Sequence, residues 1–249
     1  SEIIPRYRKL AKSGQIEISA TPHYHPLAPL LIDFASAKEA MPNAPMPESA
    51  IYVGGKARVA AHIRKAKKSH AIRFGSEPKG MWPAEGSIST DTLSVMAEEG
   101  CGWAASGEGV LVNSINKMQQ GLPDRSEYLY RPYRLANGAD GLSCFFRDDR
   151  LSDLIGFEYS QWHGSDAANH FVEQIAAIAH HAPEGETPIV SVILDGENAW
   201  EYYPYNCFYF LDQLYAKLET HTTIRTTTYS RHLKIGGETH TKTLPHIVA

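Results

Sequence analysis

The chain has 249 residues, of which 43% are hydrophobic and 21% charged, a composition typical of globular proteins with one large domain or two small ones. Its net charge is −4, and its longest basic run is RKAKKSH at 64–70, which argues against the basic surface that nucleic-acid binding requires. No apolar run approaches the roughly 20 residues of a membrane span. We therefore expect neither nucleic acid nor a membrane as a partner.

The cysteines indicate the compartment. Cys101, Cys144 and Cys207 are odd in number and do not have metal-ligand spacing. This pattern is typical of a reducing environment rather than of a disulfide framework. Together with an N-terminus too polar for a signal peptide, it predicts a cytoplasmic protein whose cysteines are small core residues.

Predicted helices and strands alternate along the chain. Apolar residues at helical spacing between caps and stop signals indicate the helices, and short apolar runs indicate the strands. In chain order the predicted elements are a helix at 1–13, a strand at 15–20, a helix at 56–69, a strand ending at 81–82, a helix at 91–99, strands at 101–106 and 142–146, a helical turn at 151–157, a helix at 165–181, a strand at 187–194, a helix at 205–219 and a β-prone stretch at 222–233. This order predicts an α/β fold with a largely parallel sheet, open or closed into a barrel.

Two carboxylates follow predicted strands. Glu85 lies in GMWPAEGS (80–87), after a strand that Pro83 and Gly86 terminate, and Asp195 follows the apolar run at 187–194. Ligands of parallel α/β sheets bind at the carboxyl ends of strands. Two carboxyl groups in one cleft are the minimal equipment for hydrolysis of a glycosidic bond. However, a carboxylate at a strand end is more often a helix cap or an ion-pair partner, so the pattern alone leaves both interpretations open.

Four segments in series resemble glycoside hydrolase family 57, which includes α-amylases, 4-α-glucanotransferases, branching enzymes and amylopullulanases. They are GQIEIS with TPHYHPL (14–19 and 21–27), GMWPAEGS (80–87), FFRDDRLSDLIGF (145–157) and SVILDGENAWEYY (191–203). The resemblance implies an incomplete (β/α)7 barrel, similar to a TIM barrel, and a retaining double displacement. It places the nucleophile at Glu85, which closes Trp-x-x-Glu, and the general acid/base at Asp195, which begins Asp-Gly-Glu.

The chain departs from the family pattern at both ends. It has no His-Gln-Pro, which the family's first strand carries, and it stops at LPHIVA, where the family continues into a Gly-Ser-Trp stretch. We therefore expect residues 1–249 to form a single catalytic-type barrel domain that is incomplete at both ends and lacks its first strand. Sheet edges exposed in this way predict pairing with a second copy, giving a homo-oligomer.

Six further residues are predicted to contact substrate. They are Gln15, Glu17, His25, Trp82, Glu197 and Trp200. The alternative for the polar residues among them is a structural role that ties the loop to its own barrel, and for the tryptophans it is core packing.

Two other groups are interpreted structurally. His23 and His25 form a His-x-His sequence that could hold zinc, but no third ligand accompanies them, so no metal and no cofactor are predicted. Arg147, Asp148 and Asp153 are expected to form an ion network that shapes the cleft.

The predicted function is a retaining hydrolase or transglycosylase acting on α-glucans, with the glucan or an oligosaccharide as its partner. The residues do not select between water and a sugar as the acceptor. Two alternatives stay open: an inactive or incomplete relative that binds glucan, and a metal-dependent carbohydrate deacetylase or mannosidase on a related barrel.

Overall fold

The computed structural model describes residues 2–49, 51–118, 121–196, 200–236 and 240–248. The α-helices are α1 (Ile3–Lys12), α2 (Ala28–Ile32), α3 (Ala37–Ala40), α4 (Gly55–Phe74), α5 (Thr90–Glu98), α6 (Glu108–Met118), α7 (Arg125–Tyr128), α8 (Asp149–Asp153), α9 (Gly164–His180), α10 (Phe208–Thr220) and α11 (Tyr229–Lys234). The strands are β1 (Gly80–Met81), β2 (Trp103–Ser106), β3 (Tyr133–Leu135), β4 (Ser143–Phe146) and β5 (Lys242–Leu244). In these parts of the chain, no helix has both the length and the apolarity that crossing a membrane would require.

The chain divides into two compact units. The first unit comprises Ser1–Leu122, Pro132–Phe145 and Thr228–Ala249. The second unit comprises Pro123–Arg131 and Phe146–Thr227. The prediction of a single domain over 1–249 stays a prediction.

A five-stranded sheet in the order β1-β2-β4-β3-β5 organises the first unit. The pairs β1 with β2 and β3 with β5 are parallel, and β3 runs antiparallel to β4. An isolated parallel bridge between Ala20 and Met81 adds the end of the predicted first strand to the β1 edge. The molecule is therefore a mixed α/β protein, as predicted. Because the segments ending at Ala20 and Met81 run parallel, the loops at 21–25 and 82–86 leave the sheet side by side.

Helix α4 forms because its buried residues recur at helical spacing. Val59, Ile63, Ala66 and His70 are buried along one face. The His70 ring contacts two backbone carbonyls: Nδ1 lies 2.6 Å from the oxygen of Ser76 and Nε2 lies 3.1 Å from that of Ile18. These contacts hold the segment before Ala20 against the helix.

In the second unit, α9 packs against α10. Tyr159 is almost fully buried there, with its hydroxyl 2.7 Å from Nδ1 of His170 and its ring beside those of Trp162 and Phe210. Burial raises the pKa of Tyr159 to about 12. The helix predicted at 165–181 is confirmed, and Nδ1 of His181 lies 2.7 Å from the Ala177 carbonyl oxygen at its end.

Three predicted strands differ from the structure. The first, at 15–20, forms a single isolated bridge at Ala20 instead of a strand. The stretch at 187–194 forms a single bridge, from Ser191 to Arg147, because its other backbone groups bond outside a sheet. The Ile189 amide donates to the Tyr130 carbonyl and the Ile193 amide donates to Oγ of Ser152. The β-prone stretch at 222–233 contains α11 instead of a strand, because Oγ1 of Thr228 accepts the Arg231 amide and caps that helix.

Candidate active site

Glu85 lies on a short turn directly after β1. The Trp82 amide donates to the Ala20 carbonyl (3.0 Å), and the chain then leaves the sheet at Pro83 and turns through a single 3₁₀ turn, Ala84–Gly86. The Glu85 backbone is left-handed, with φ 56° and ψ 21°, and 74% of its side chain is exposed. The turn therefore presents this carboxylate to solvent at the carboxyl end of a strand, as the sequence predicted.

Several contacts hold this unfavourable conformation. A left-handed residue with a side chain costs roughly 1–2 kcal/mol, and such strain persists only where surrounding structure imposes it. Oγ of Ser106, at the end of β2, donates to the Gly86 carbonyl at 2.5 Å. The half-buried Trp82 ring packs so closely over Gly86 that a Cβ there would lie 2.8 Å from its Cη2. Both contacts act on Gly86, the residue that directly follows Glu85.

His25 lies beside Glu85. Its Nε2 is 3.8 Å from Oε1 of Glu85, and both side chains are more than half exposed. Tyr24 and His25 are also left-handed, with φ 66° and 53°. The structure thus brings one predicted substrate-binding residue to the predicted nucleophile. The neighbouring Tyr24, which the sequence did not indicate, is 73% exposed and has Nζ of Lys65 5.2 Å from its ring centroid.

An open groove continues from His25 along α4. It has a volume of about 400 Å³ and is lined by residues 19–25 and by the C-terminal half of the helix, including His70 and Phe74. His23 also lines it, and Nδ1 of His23 is buried without a hydrogen-bond partner among the described residues. The groove lining therefore includes both apolar side chains and imidazole rings.

Asp195 is exposed and follows the single bridge at Ser191. It lies in the second unit, whereas Glu85 lies in the first. The retaining geometry predicted for this pair stays a prediction. Glu197 lies outside the described residues. Trp200 is half-buried and packs edge-on against Tyr203 at 5.9 Å between ring centroids.

An ion network surrounds the chain before Asp195. Arg147 donates to Asp149 and Asp153, each at 2.7 Å, and its Nε donates to the Ile193 carbonyl at 2.9 Å. Partial burial opposes the charge, but the hydrogen bonds to Asp153 and Asp149 outweigh it and raise the pKa of Arg147. The predicted contact between Arg147 and Asp153 forms, but Asp149 takes the place that the prediction gave to Asp148, which bonds other residues.

Asp148 is itself fully buried and belongs to a separate cluster. It accepts two hydrogen bonds from Arg125, at 2.8 and 3.2 Å, and one from the Tyr130 hydroxyl at 2.9 Å. It also accepts the Leu151 amide and so caps α8. Its partners lie up to 23 residues away in the sequence, so no local pattern could have indicated them.

Glu17 accepts three hydrogen bonds from two residues of the protein. Its carboxylate accepts the Trp103 indole N–H at 2.8 Å, the Ser230 amide at 3.1 Å and the Ser230 hydroxyl at 2.6 Å. These bonds correspond to the structural role that the sequence left open for this residue. Gln15 is exposed just after α1, where its amide donates to the Leu10 carbonyl. Substrate contact by either residue stays a prediction.

Among the described residues, His23 and His25 are not part of a metal-binding cluster. Across the described ranges, no three His, Cys, Asp or Glu side chains converge as metal ligands. The metal-dependent alternative is therefore left without support from the side chains of the described residues.

Comparison with protein families decides the family. The model of Glycosyl hydrolase family 57 matches residues 1–247, nearly the whole chain. The chain belongs to Glycosyl hydrolase family 57. Within this family-57 chain, the turn with Glu85 and the segment before Asp195 are the two places where the sequence resemblance predicted catalytic carboxylates. No curated protein shows significant sequence similarity to the chain.

Solved structures agree in fold. The family-57 chain superposes on an α-amylase from Thermotoga maritima with a TM-score of 0.68 and 14% identity, covering 93% of this chain and 51% of that one. For a branching enzyme from Thermococcus kodakaraensis the TM-score is 0.69 at 16% identity, with 98% and 51% covered. For a 4-alpha-glucanotransferase from Thermococcus litoralis it is 0.61 at 17% identity, with 93% and 30% covered. The chain thus spans about half the length of the first two structures.

Proposed function

We propose that this chain carries the active-site residues of a retaining glycoside hydrolase or transglycosylase that acts on α-glucans. The observation that supports this most directly is the position of Glu85. In a family-57 chain, this carboxylate lies after β1, in a left-handed conformation fixed by Ser106 and Trp82, with His25 at 3.8 Å. Strained residues of this kind are typical of functional sites.

In the proposed mechanism, an oxygen of Glu85 attacks the anomeric carbon as the bond to the leaving oxygen breaks, and Asp195 donates its proton to that oxygen. This forms a covalent glycosyl ester on Glu85. Asp195 then removes a proton from water or from a sugar hydroxyl, the acceptor oxygen bonds to the anomeric carbon, and the ester to Glu85 breaks. Two inversions at one carbon give retention.

The proposed substrate is an α-glucan or maltooligosaccharide. This is supported by the three similar structures, which are an α-amylase, a branching enzyme and a 4-alpha-glucanotransferase. His25, Trp82 and Trp200 are proposed to contact sugar rings or hydroxyls, and Gln15, Glu17 and Glu197 are retained as predicted contacts. Product analysis with maltoheptaose distinguishes the two reactions, because transfer gives chains longer than the substrate and hydrolysis does not.

The first experiment traps the ester. The protein is incubated with 5-fluoro-α-glucosyl fluoride, which forms a long-lived glycosyl ester on a retaining α-glucosidase, and labelled peptides are located by mass spectrometry. We expect one label on Glu85, none in Glu85→Gln, and at least about a 1000-fold loss of maltoheptaose turnover in that variant. Glu98→Gln is the matched control, since Glu98 is an exposed glutamate of the same unit that pairs with Lys56.

The other outcomes separate the alternatives. A label on a different carboxylate would reject Glu85 as the nucleophile. Absence of any label, together with calorimetric binding of maltoheptaose, would favour the inactive glucan-binding relative. Absence of both label and binding would reject the proposed function for this chain.

A further inference from the structure

The Ile193 peptide is held at both of its polar groups, two residues before Asp195. Nε of Arg147 donates to the Ile193 carbonyl at 2.9 Å, and the Ile193 amide donates to Oγ of Ser152 at 3.2 Å. Ser152 is fully buried and donates in turn to the Asp148 carbonyl at 2.7 Å. Ile193 is thus bonded to Arg147, which precedes α8, and to Ser152 within α8. The exposed carboxylate of Asp195 follows two residues later.

The Arg147 guanidinium has little freedom in this arrangement. Its two terminal nitrogens donate to Asp149 and Asp153, which begin and end α8, and its side chain is 21% exposed. The planar fork of an arginine directs three donors at once, whereas a lysine ammonium cannot reproduce this geometry. The two carboxylates therefore orient Nε toward Ile193.

We propose that Arg147 is a positioning residue that sets the place of Asp195 through the Ile193 carbonyl. The inference rests on the proposed role of Asp195 as the general acid/base. Loss of the Nε hydrogen bond releases the backbone next to Asp195 while leaving Glu85, in the other unit, as it was. The affected step is then proton donation to the leaving oxygen, not nucleophilic attack.

Substrates with different leaving groups test this. Maltoheptaose needs a proton on its leaving oxygen, whereas α-glucosyl fluoride releases fluoride without one. We expect Arg147→Met and Arg147→Lys to lose about 10- to 100-fold in kcat/KM on maltoheptaose but less than about 3-fold on the fluoride. Arg150→Met is the matched control, because Arg150 lies on α8 close to Arg147 in the chain, is exposed and contacts Gln174 instead of Ile193.

Asp195→Asn separates this inference from the proposed function. If Asp195→Asn shows the dependence on the leaving group and the Arg147 variants lose both substrates in proportion, the positioning role is rejected while the role of Asp195 stands. If Asp195→Asn shows no such dependence, the proposed function itself is wrong.

Hydrogen exchange gives a readout that needs no turnover. We expect faster amide exchange over 191–196 in both Arg147 variants, with exchange over α9 unchanged. Unchanged exchange over 191–196 would overturn the proposal whatever the activities are. Restoration of wild-type exchange by Arg147→Lys would also overturn it, since charge alone would then be sufficient.

Discussion

Gly86 is restricted in two independent ways beside the proposed nucleophile. Its φ of +66° lies in the left-handed region that disfavours any residue with a side chain, and an added Cβ would meet the Trp82 ring at 2.8 Å. The backbone amide of Trp82 donates a hydrogen bond to the Ala20 carbonyl, which holds Trp82 at the sheet edge. The conformation of Glu85 thus depends on a neighbour that has no side chain.

Gly86→Ala tests this dependence. The backbone penalty of about 1–2 kcal/mol adds to an overpacking cost of about 1–3 kcal/mol, so we expect a clear drop in the urea midpoint and reduced turnover. Gly14→Ala is the matched control, since Gly14 has φ +75° but nothing within 4 Å of an added Cβ. Equal losses in the two variants would show that the contact with Trp82 contributes nothing.

At the level of elements, buried polar groups fix α8. Asp148 accepts hydrogen bonds from Arg125, Tyr130 and Leu151 while none of its side chain is exposed. Removal of this buried charge is strongly destabilising, because Arg125, whose side chain is only 31% exposed, loses its carboxylate partner. The first turn of α8 and the Ser191 strand segment, whose carbonyl accepts the Asp148 amide, both depend on this residue.

Asp148→Asn should therefore lower the free energy of unfolding of the second unit by about 3–5 kcal/mol in urea titrations followed by circular dichroism. Asp124→Asn is the control, because Asp124 is the exposed cap of α7 and its carboxylate accepts the amide and hydroxyl of Ser126. We expect that variant to lose much less. A loss in Asp148→Asn no larger than in the control would contradict the buried-charge argument.

The same elements show which features sequence could predict. α9 and α10 were predicted because the apolar spacing that indicates them lies within the helix itself. Glu85 was placed correctly after a strand, whereas Asp195 follows a segment that forms one isolated bridge instead of the predicted strand. The pairing at 187–194 could not be predicted, because its partners are Tyr130, Arg147 and Ser152, which no short pattern connects. The role of Glu17 depends in the same way on Ser230, 213 residues away.

At the scale of the whole molecule, the three cysteines lie in both units and can be used to follow the unfolding of each. Cys101 and Cys144 lie in the first unit and Cys207 in the second, and all three are free and buried. Burial raises the pKa of Cys101 to about 11 and that of Cys144 and Cys207 to about 12. Since the thiolate is the reactive form, native protein at pH 8 should react slowly with a thiol reagent.

Labelling in increasing urea tests whether the units open separately. Cys207 ends a run of three left-handed residues, Tyr205, Asn206 and Cys207, each of which costs roughly 1–2 kcal/mol. We expect Cys207 to be modified at a lower urea concentration than the other two cysteines, as judged by mass spectrometry of the peptides. Simultaneous modification of all three would instead indicate one cooperative transition.

The pairing of β5 with β3 has a consequence for synthesis. Lys242–Leu244 lie beside Tyr133–Leu135, and the Val248 amide donates to Oγ of Ser114 at 2.9 Å. A nascent chain emerging from the ribosome has therefore completed every segment of the second unit before the last strand of the first becomes available. Until then the outer edge of β3 has no partner, and an unpaired strand edge invites association with other chains. During translation of the residues between 135 and 242, this edge of β3 is therefore open to association with other chains.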